Sequence, residues 1–149
     1  MIIELQKEDI FCDLNSYVFA REFVQDKGYK VCIDGLTMET IGIIDRERLG
    51  ADTAKLIKHT DLVDGGEELR AKIRNIVKRG GPDWLILCRC DNRESIDFGR
   101  SMGINMFQGR YVENLIAEDA RRREMLRLKR RIDQDSDAAA MGEDSYADE

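Results

Sequence analysis

Trp84-Leu85-Ile86-Leu87-Cys88 is a continuous apolar run, and its reading sets the fold class. A run this short and this unbroken is the pattern of a strand covered on both faces, as strands in parallel sheets are. Arg79-Gly80-Gly81-Pro82 upstream breaks the preceding helix, and Asp83 leads into the run. Downstream, Glu94 to Met102 reads as a short helix stopped by Gly103, and Ile104 to Phe107 as the last strand. The same alternation extends towards the N-terminus. Glu67 to Lys78 places Leu69, Ile73, Ile76 and Val77 on one helical face, after a long turn through Asp64-Gly65-Gly66. Before that come a strand at Ala54 to Ile57 and a helix carrying Met38, Ile41 and Ile44 that ends near Gly50. Lys30 to Asp34 is a strand rich in β-branched and apolar residues. Asp9 to Asp26 is an amphipathic helix with Ile10, Leu14, Tyr17, Val18 and Val24 near helical spacing and Gly28 as its stop. Ile2 to Leu5 opens the chain as a strand. Strands alternating with helices imply an α/β fold of about four to five β/α units, its parallel strands joined by right-handed crossovers.

Composition sets the outer limits. A chain of 149 residues with 42% hydrophobic residues and one proline suits one globular domain. A formal charge of −6 argues against non-specific binding to nucleic acid. No apolar stretch approaches the ~20 residues that span a bilayer, and the N-terminus lacks a basic region followed by an apolar core, so a cytoplasmic protein without a membrane role is expected. Cys12, Cys32, Cys88 and Cys90 fall in a helix start and two strands, outside any spaced framework, and read as reduced thiols. A zinc–thiolate site lacks ligand pairs, and His59 is the only histidine. After Tyr111 the character changes. Val112 to about Ile132 reads as a helix, strongly basic from Arg121-Arg122-Arg123 through Lys129-Arg130-Arg131. Asp133 to Glu149 holds seven acids and no base, and is expected to be a disordered tail. The expected division is therefore 1–115, a basic helix at 116–132 and the tail at 133–149.

Four of the apolar runs carry a polar residue at or near the strand end: Glu4, Asp34, Lys55 and Gln108. Separate strands of a (β/α) protein assemble a polar site at their carboxyl ends in this way. Structural roles are open to the same residues. Asp34 before Gly35-Leu36-Thr37 could cap the next helix, Lys55 could pair with Asp34 or Glu4, and Gln108 could satisfy backbone groups at a turn.

Ile2-Ile3-Glu4-Leu5, Ile33-Asp34-Gly35, Gly50-Ala51-Asp52-Thr53-Ala54-Lys55-Leu56 and Gly103-Ile104-Asn105-Met106-Phe107-Gln108-Gly109-Arg110-Tyr111, in that order and spacing, resemble the second half of an EAL domain. That bacterial module hydrolyses or senses cyclic di-GMP. The resemblance covers roughly residues 1 to 115 and implies a partial TIM-like (β/α) barrel, about half of a typical barrel of ~250 residues. It implies metal-binding roles for Glu4 and Asp34, with Mg2+ or Mn2+ as the ion, and a water-positioning role for Lys55. Gln108, Arg110 and Asp91 fall at ligand-binding positions. Magnesium prefers carboxylate oxygens, and two metals clamp the attacking and leaving oxygens of a phosphodiester.

The chain also departs from the family pattern. Gly35 stands where the family has a second aspartate, Ile57 replaces an aspartate, Lys7 replaces a glutamate, and Cys88 aligns with a metal-associated glutamate. Hard cations gain little from thiol, glycine or isoleucine. The resemblance therefore implies a degenerate, non-catalytic EAL-like module of bacterial signalling, without a cofactor, that binds cyclic di-GMP or a protein partner. A cyclic di-GMP phosphodiesterase completed by another chain, and a remnant with an assembly role, are the alternatives. Half a barrel leaves two strand edges and its inner face uncovered, so a homodimer or a protein partner is expected there. An open flavodoxin-like sheet is the alternative architecture.

Overall fold

The computed structural model describes residues 1–58 and 66–144. His59 and most of the expected turn through Asp64-Gly65 lie outside the described residues. Contacts divide the chain into two units, Met1–Val112 and Glu113–Glu149.

The first unit is built on five parallel strands: β1 (Ile2–Gln6), β2 (Lys30–Leu36), β3 (Thr53–Ile57), β4 (Leu85–Cys88) and β5 (Met106–Phe107). They lie in sequential order, β1-β2-β3-β4-β5. A doubly wound sheet of the flavodoxin type reverses its strand order at a switch point, and this sheet has no reversal. Between the strands run α1 (Lys7–Cys12), α2 (Leu14–Asp26), α3 (Arg46–Leu49), α4 (Gly66–Arg79) and α5 (Arg93–Ser101).

Period-two alternation sorts each strand into two faces. One face holds Val31, Ile33, Ala54, Leu56, Leu85 and Leu87, all fully or almost fully buried. These pack with Ile10 and Tyr17 from α1 and α2, Ile73 and Val77 from α4, and Met102 and Ile104 beyond α5. Each such aliphatic side chain withdrawn from water contributes about 1.5–3 kcal/mol. Gly99 in α5 lets the helix approach this face, because a Cβ there would collide with the Phe107 ring and crowd Leu87.

Four expectations are corrected. The helix expected from Asp9 to Asp26 is two helices, because the Asp13 carboxylate accepts the Ser16 N–H at 3.0 Å and the Ser16 hydroxyl at 2.6 Å, starting α2 afresh. The helix expected through Met38, Ile41 and Ile44 is a series of turns followed by the short α3. Thr37 and Thr40 exchange side-chain and backbone hydrogen bonds there, the local competition that keeps threonine out of regular helix. β4 is covered on one face only: Leu85 and Leu87 are buried, while Ile86 and Cys88 on the other side are half-buried. Finally, the described part of the second unit belongs to one long helix, α6 (Arg110–Asp144), which begins at the end of the first unit and continues through residues expected to be a disordered tail from Asp133. Ala138-Ala139-Ala140 are the strongest helix formers and carry it on. Residues 145–149 lie outside the described set. Among the described residues no helix is long and apolar enough to cross a membrane.

Candidate functional site

The second face of the sheet carries the polar residues. Alternation within β1 places Ile2, Glu4 and Gln6 together, and the parallel register sets Glu4 beside Cys32 and Gln6 beside Asp34. On β3, Lys55 faces the same way, opposite Ile86 of β4, and Ile57 stands opposite Cys88.

Lys55 is the centre of the group. It is 9% exposed, and its ammonium donates to Glu4 Oε1 in an ion pair that spans β1 and β3. Burial works to lower the lysine, but the hydrogen bond and charge of Glu4 outweigh it and hold the ammonium above its ordinary value. Gln6 Nε2 donates to Asp34 Oδ2 at 2.9 Å, and Asp34 Oδ1 accepts the Gly35 N–H at 2.8 Å. Lys7 Nζ donates to the Gly35 carbonyl at 2.7 Å. Cys88 Sγ lies 3.8 Å from Gln108 Oε1. Burial pushes the Cys88 thiol up to about 11 despite the opposing pull of Lys55, so at neutral pH it is neither a nucleophile nor a ready metal ligand.

Glu4, Asp34 and Lys55 therefore come together on three adjacent strands, with Gln108 close to Cys88 at the other side of the sheet. Asp91 lies exposed in the loop after β4 and Arg110 exposed at the start of α6; among the described residues neither side chain has a hydrogen bond or ion pair. Asp52, from the stretch that also carries Lys55, works at the opposite end of the sheet, where its carboxylate accepts the Val31 N–H at 2.8 Å and Gln25 Nε2 at 3.2 Å. Sequence reading missed two members, Gln6 and Lys7 as a bonded group. The period-two spacing from Glu4 was a signal for Gln6; nothing local pointed from Lys7 to Gly35.

Gly35 is tied to its conformation. Its φ is +86°, it sits where the β2–β3 register shifts between Ile33 and Leu36, and a Cβ there would lie 3.1 Å from Gln6 Oε1. Glycine adopts that left-handed backbone without the penalty other residues incur. The backbone here is thus suited to glycine and strained for a residue with a side chain.

The two carboxylates do not fit a divalent metal as they stand. A hard cation needs several free oxygens. Glu4 is neutralised by Lys55, and both oxygens of Asp34 already accept donors. Among the described residues no three His, Cys, Asp or Glu side chains converge on a metal-holding arrangement. Two surface depressions, one around Arg46 and Trp84 and one around Lys78 and Arg100, are lined by residues such as Trp84, Pro82 and Asn105 that precede β4 and β5, away from this group. No protein-family model matches the chain, and no curated protein matches it.

Proposed function

We propose that the chain is a degenerate, non-catalytic EAL-like module of bacterial signalling, a partial TIM-like barrel whose uncovered sheet face receives cyclic di-GMP. The observation that carries this reading is how its polar residues are paired. Glu4 and Asp34, which match the EAL pattern, are bound to Lys55 and Gln6, and the departure Lys7 donates to the backbone carbonyl of Gly35. Carboxylates already engaged by an ammonium and an amide favour a site turned away from two-metal chemistry over one waiting for its metals. Five parallel strands in sequential order support the barrel part, since consecutive strands of a (β/α) barrel pair in that order. Lys55 offers a phosphodiester its charge at the cost of competing with Glu4, while Ile57, Ile86 and Met106 offer apolar surface to the bases.

The test is incubation of the whole chain with cyclic di-GMP and magnesium or manganese, with product release and thermal stability followed in the same samples. The expected result is stabilisation without product, lost in Lys55→Met. Turnover that disappears in Asp34→Ala would establish a phosphodiesterase instead. No stabilisation and no product would leave a protein partner or an assembly role for this face.

A further inference from the structure

We propose that α6 joins two copies of this chain as an antiparallel helix pair crossing at Ile132. Every residue from Glu113 to Gly142 is exposed. The exposed set includes Met125, Leu128 and Ile132, at spacings of three and four, with Ala139 a further seven residues on. A helix of 35 residues that half-buries only its first-turn Tyr111 and Val112 stands, beyond them, only with many internal pairs or with a partner.

Among the described residues its internal pairs are few. Arg123 holds Asp119 at 2.8 Å, and Arg127 reaches Glu124 only at 3.8 Å. Among the described residues Lys129, Arg131, Asp133, Asp135 and Asp137 make no ion pair. The charges are also segregated along the helix: Arg121 to Arg131 holds seven bases and one acid, and the acids Asp133, Asp135 and Asp137 follow on the C-terminal side. Within one continuous helix the two blocks are neighbours only where they adjoin, as at Lys129 and Asp133 or Arg131 and Asp135.

A second copy, reversed, resolves both difficulties. With Ile132 meeting its own copy, the basic block from Arg121 to Arg131 runs alongside the acids Asp133, Asp135 and Asp137 of the other chain, once from each chain. In the same register Met125 meets Ala139 and Leu128 meets Ser136 on the seam, so large side chains lie against small ones, as close helix packing requires. A parallel pair would set the basic block on itself, which repels. Charge complementarity therefore names the occupant of this helix as another α6 running the other way.

Light scattering on the whole chain should give a dimer. Ile132→Asp sets two carboxylates against each other at the crossing and should weaken it ~100-fold. Arg127→Asp, Lys129→Asp and Arg131→Asp together should give a monomer, as should Asp133→Lys, Asp135→Lys and Asp137→Lys together. Mixing the two variants should restore a 1:1 dimer, a result that a merely unfolded helix cannot produce. For direction, in a Cys12→Ser background Met125→Cys should cross-link to Ala139→Cys on mixing and not to itself. A wild-type monomer, including one that instead binds anionic vesicles, overturns the proposal. So does a dimer that survives Ile132→Asp, or a Met125→Cys chain that cross-links to its own copy.

Discussion

The two faces of the sheet share one backbone and obey different chemistry. On the face against the helices, Val31, Ile33, Ala54, Leu56 and Leu87 are completely buried and apolar. On the other face the same strands carry Glu4, Gln6, Asp34 and Cys88 around the buried Cys32 and Lys55, with Ile86 and Met106 half-buried. The first face holds the fold together through area removed from water; the second is held by a few directional pairs whose partners lie 28 to 51 residues apart in the chain. Face one can be varied only at the expense of stability. Face two is held instead by pairs that can be exchanged one at a time without emptying the core.

The largest effect should come from truncating the covered face. Leu87 is wholly enclosed, so Leu87→Ala removes its transfer energy and leaves a cavity, costing about 3–4 kcal/mol. Its neighbour Ile86 points to the open face, and Ile86→Ala should cost about 1 kcal/mol, since a half-buried side chain has less contact to lose. Urea unfolding of the two variants checks the contrast. Equal losses would mean that something covers both faces, which would revive the reading of Trp84 to Cys88 as a strand enclosed on each side.

That reading shows where sequence stops informing. The covered face was legible because its residues repeat with period two or lie in unbroken apolar runs, as Val31 and Ile33 or Leu85 and Leu87 do. Ile86 and Cys88 looked the same as their covered neighbours, because an apolar residue facing an open side carries no local mark of that fact. The bulge at Gly35 was hidden for a different reason. It depends on the register with β3, which local spacing does not encode. Met38, Ile41 and Ile44 recur at spacing three, which a chain of turns satisfies as well as a helix, and the Thr37–Thr40 bonds decide between them. In the candidate site, a Lys55–Glu4 pair was among the expectations, whereas the Gln6–Asp34 and Lys7–Gly35 contacts follow from strand alignment and were not readable.

The open face should show an asymmetry that the covered face cannot. Glu4→Gln leaves the mostly buried Lys55 ammonium with a weaker acceptor and should cost about 1–2 kcal/mol. Lys55→Met removes the buried charge, fills similar volume and leaves Glu4, about half exposed, to water; it should cost less than about 1 kcal/mol or stabilise slightly. Chemical denaturation of both variants and of the double variant gives the pair's coupling. If Lys55→Met proved the more damaging change, the pair would be a net source of stability, and the picture of an open face held by modest, exchangeable contacts would have to be replaced.

The smallest expected effect is a pH dependence on the same face. Cys88 holds its proton up to about pH 11, above the 9.0 of a free thiol, and Lys55 is likewise raised. Both groups bind a proton more tightly when folded, so their contribution is fully present below about pH 9 and is lost as pH rises towards 11, where the folded state must give up protons the unfolded chain has already released. Stability should therefore fall through this alkaline window. Tyr17, Cys32 and Cys90, each raised by burial, add to the same slope, so Cys88→Ala should flatten it only in part. Because the thiol is half open to water, the difference should stay under about 1 kcal/mol. An unchanged slope in Cys88→Ala would mean that water reaches this thiol freely and that the open face is wetter around β4 than its half-buried side chains imply.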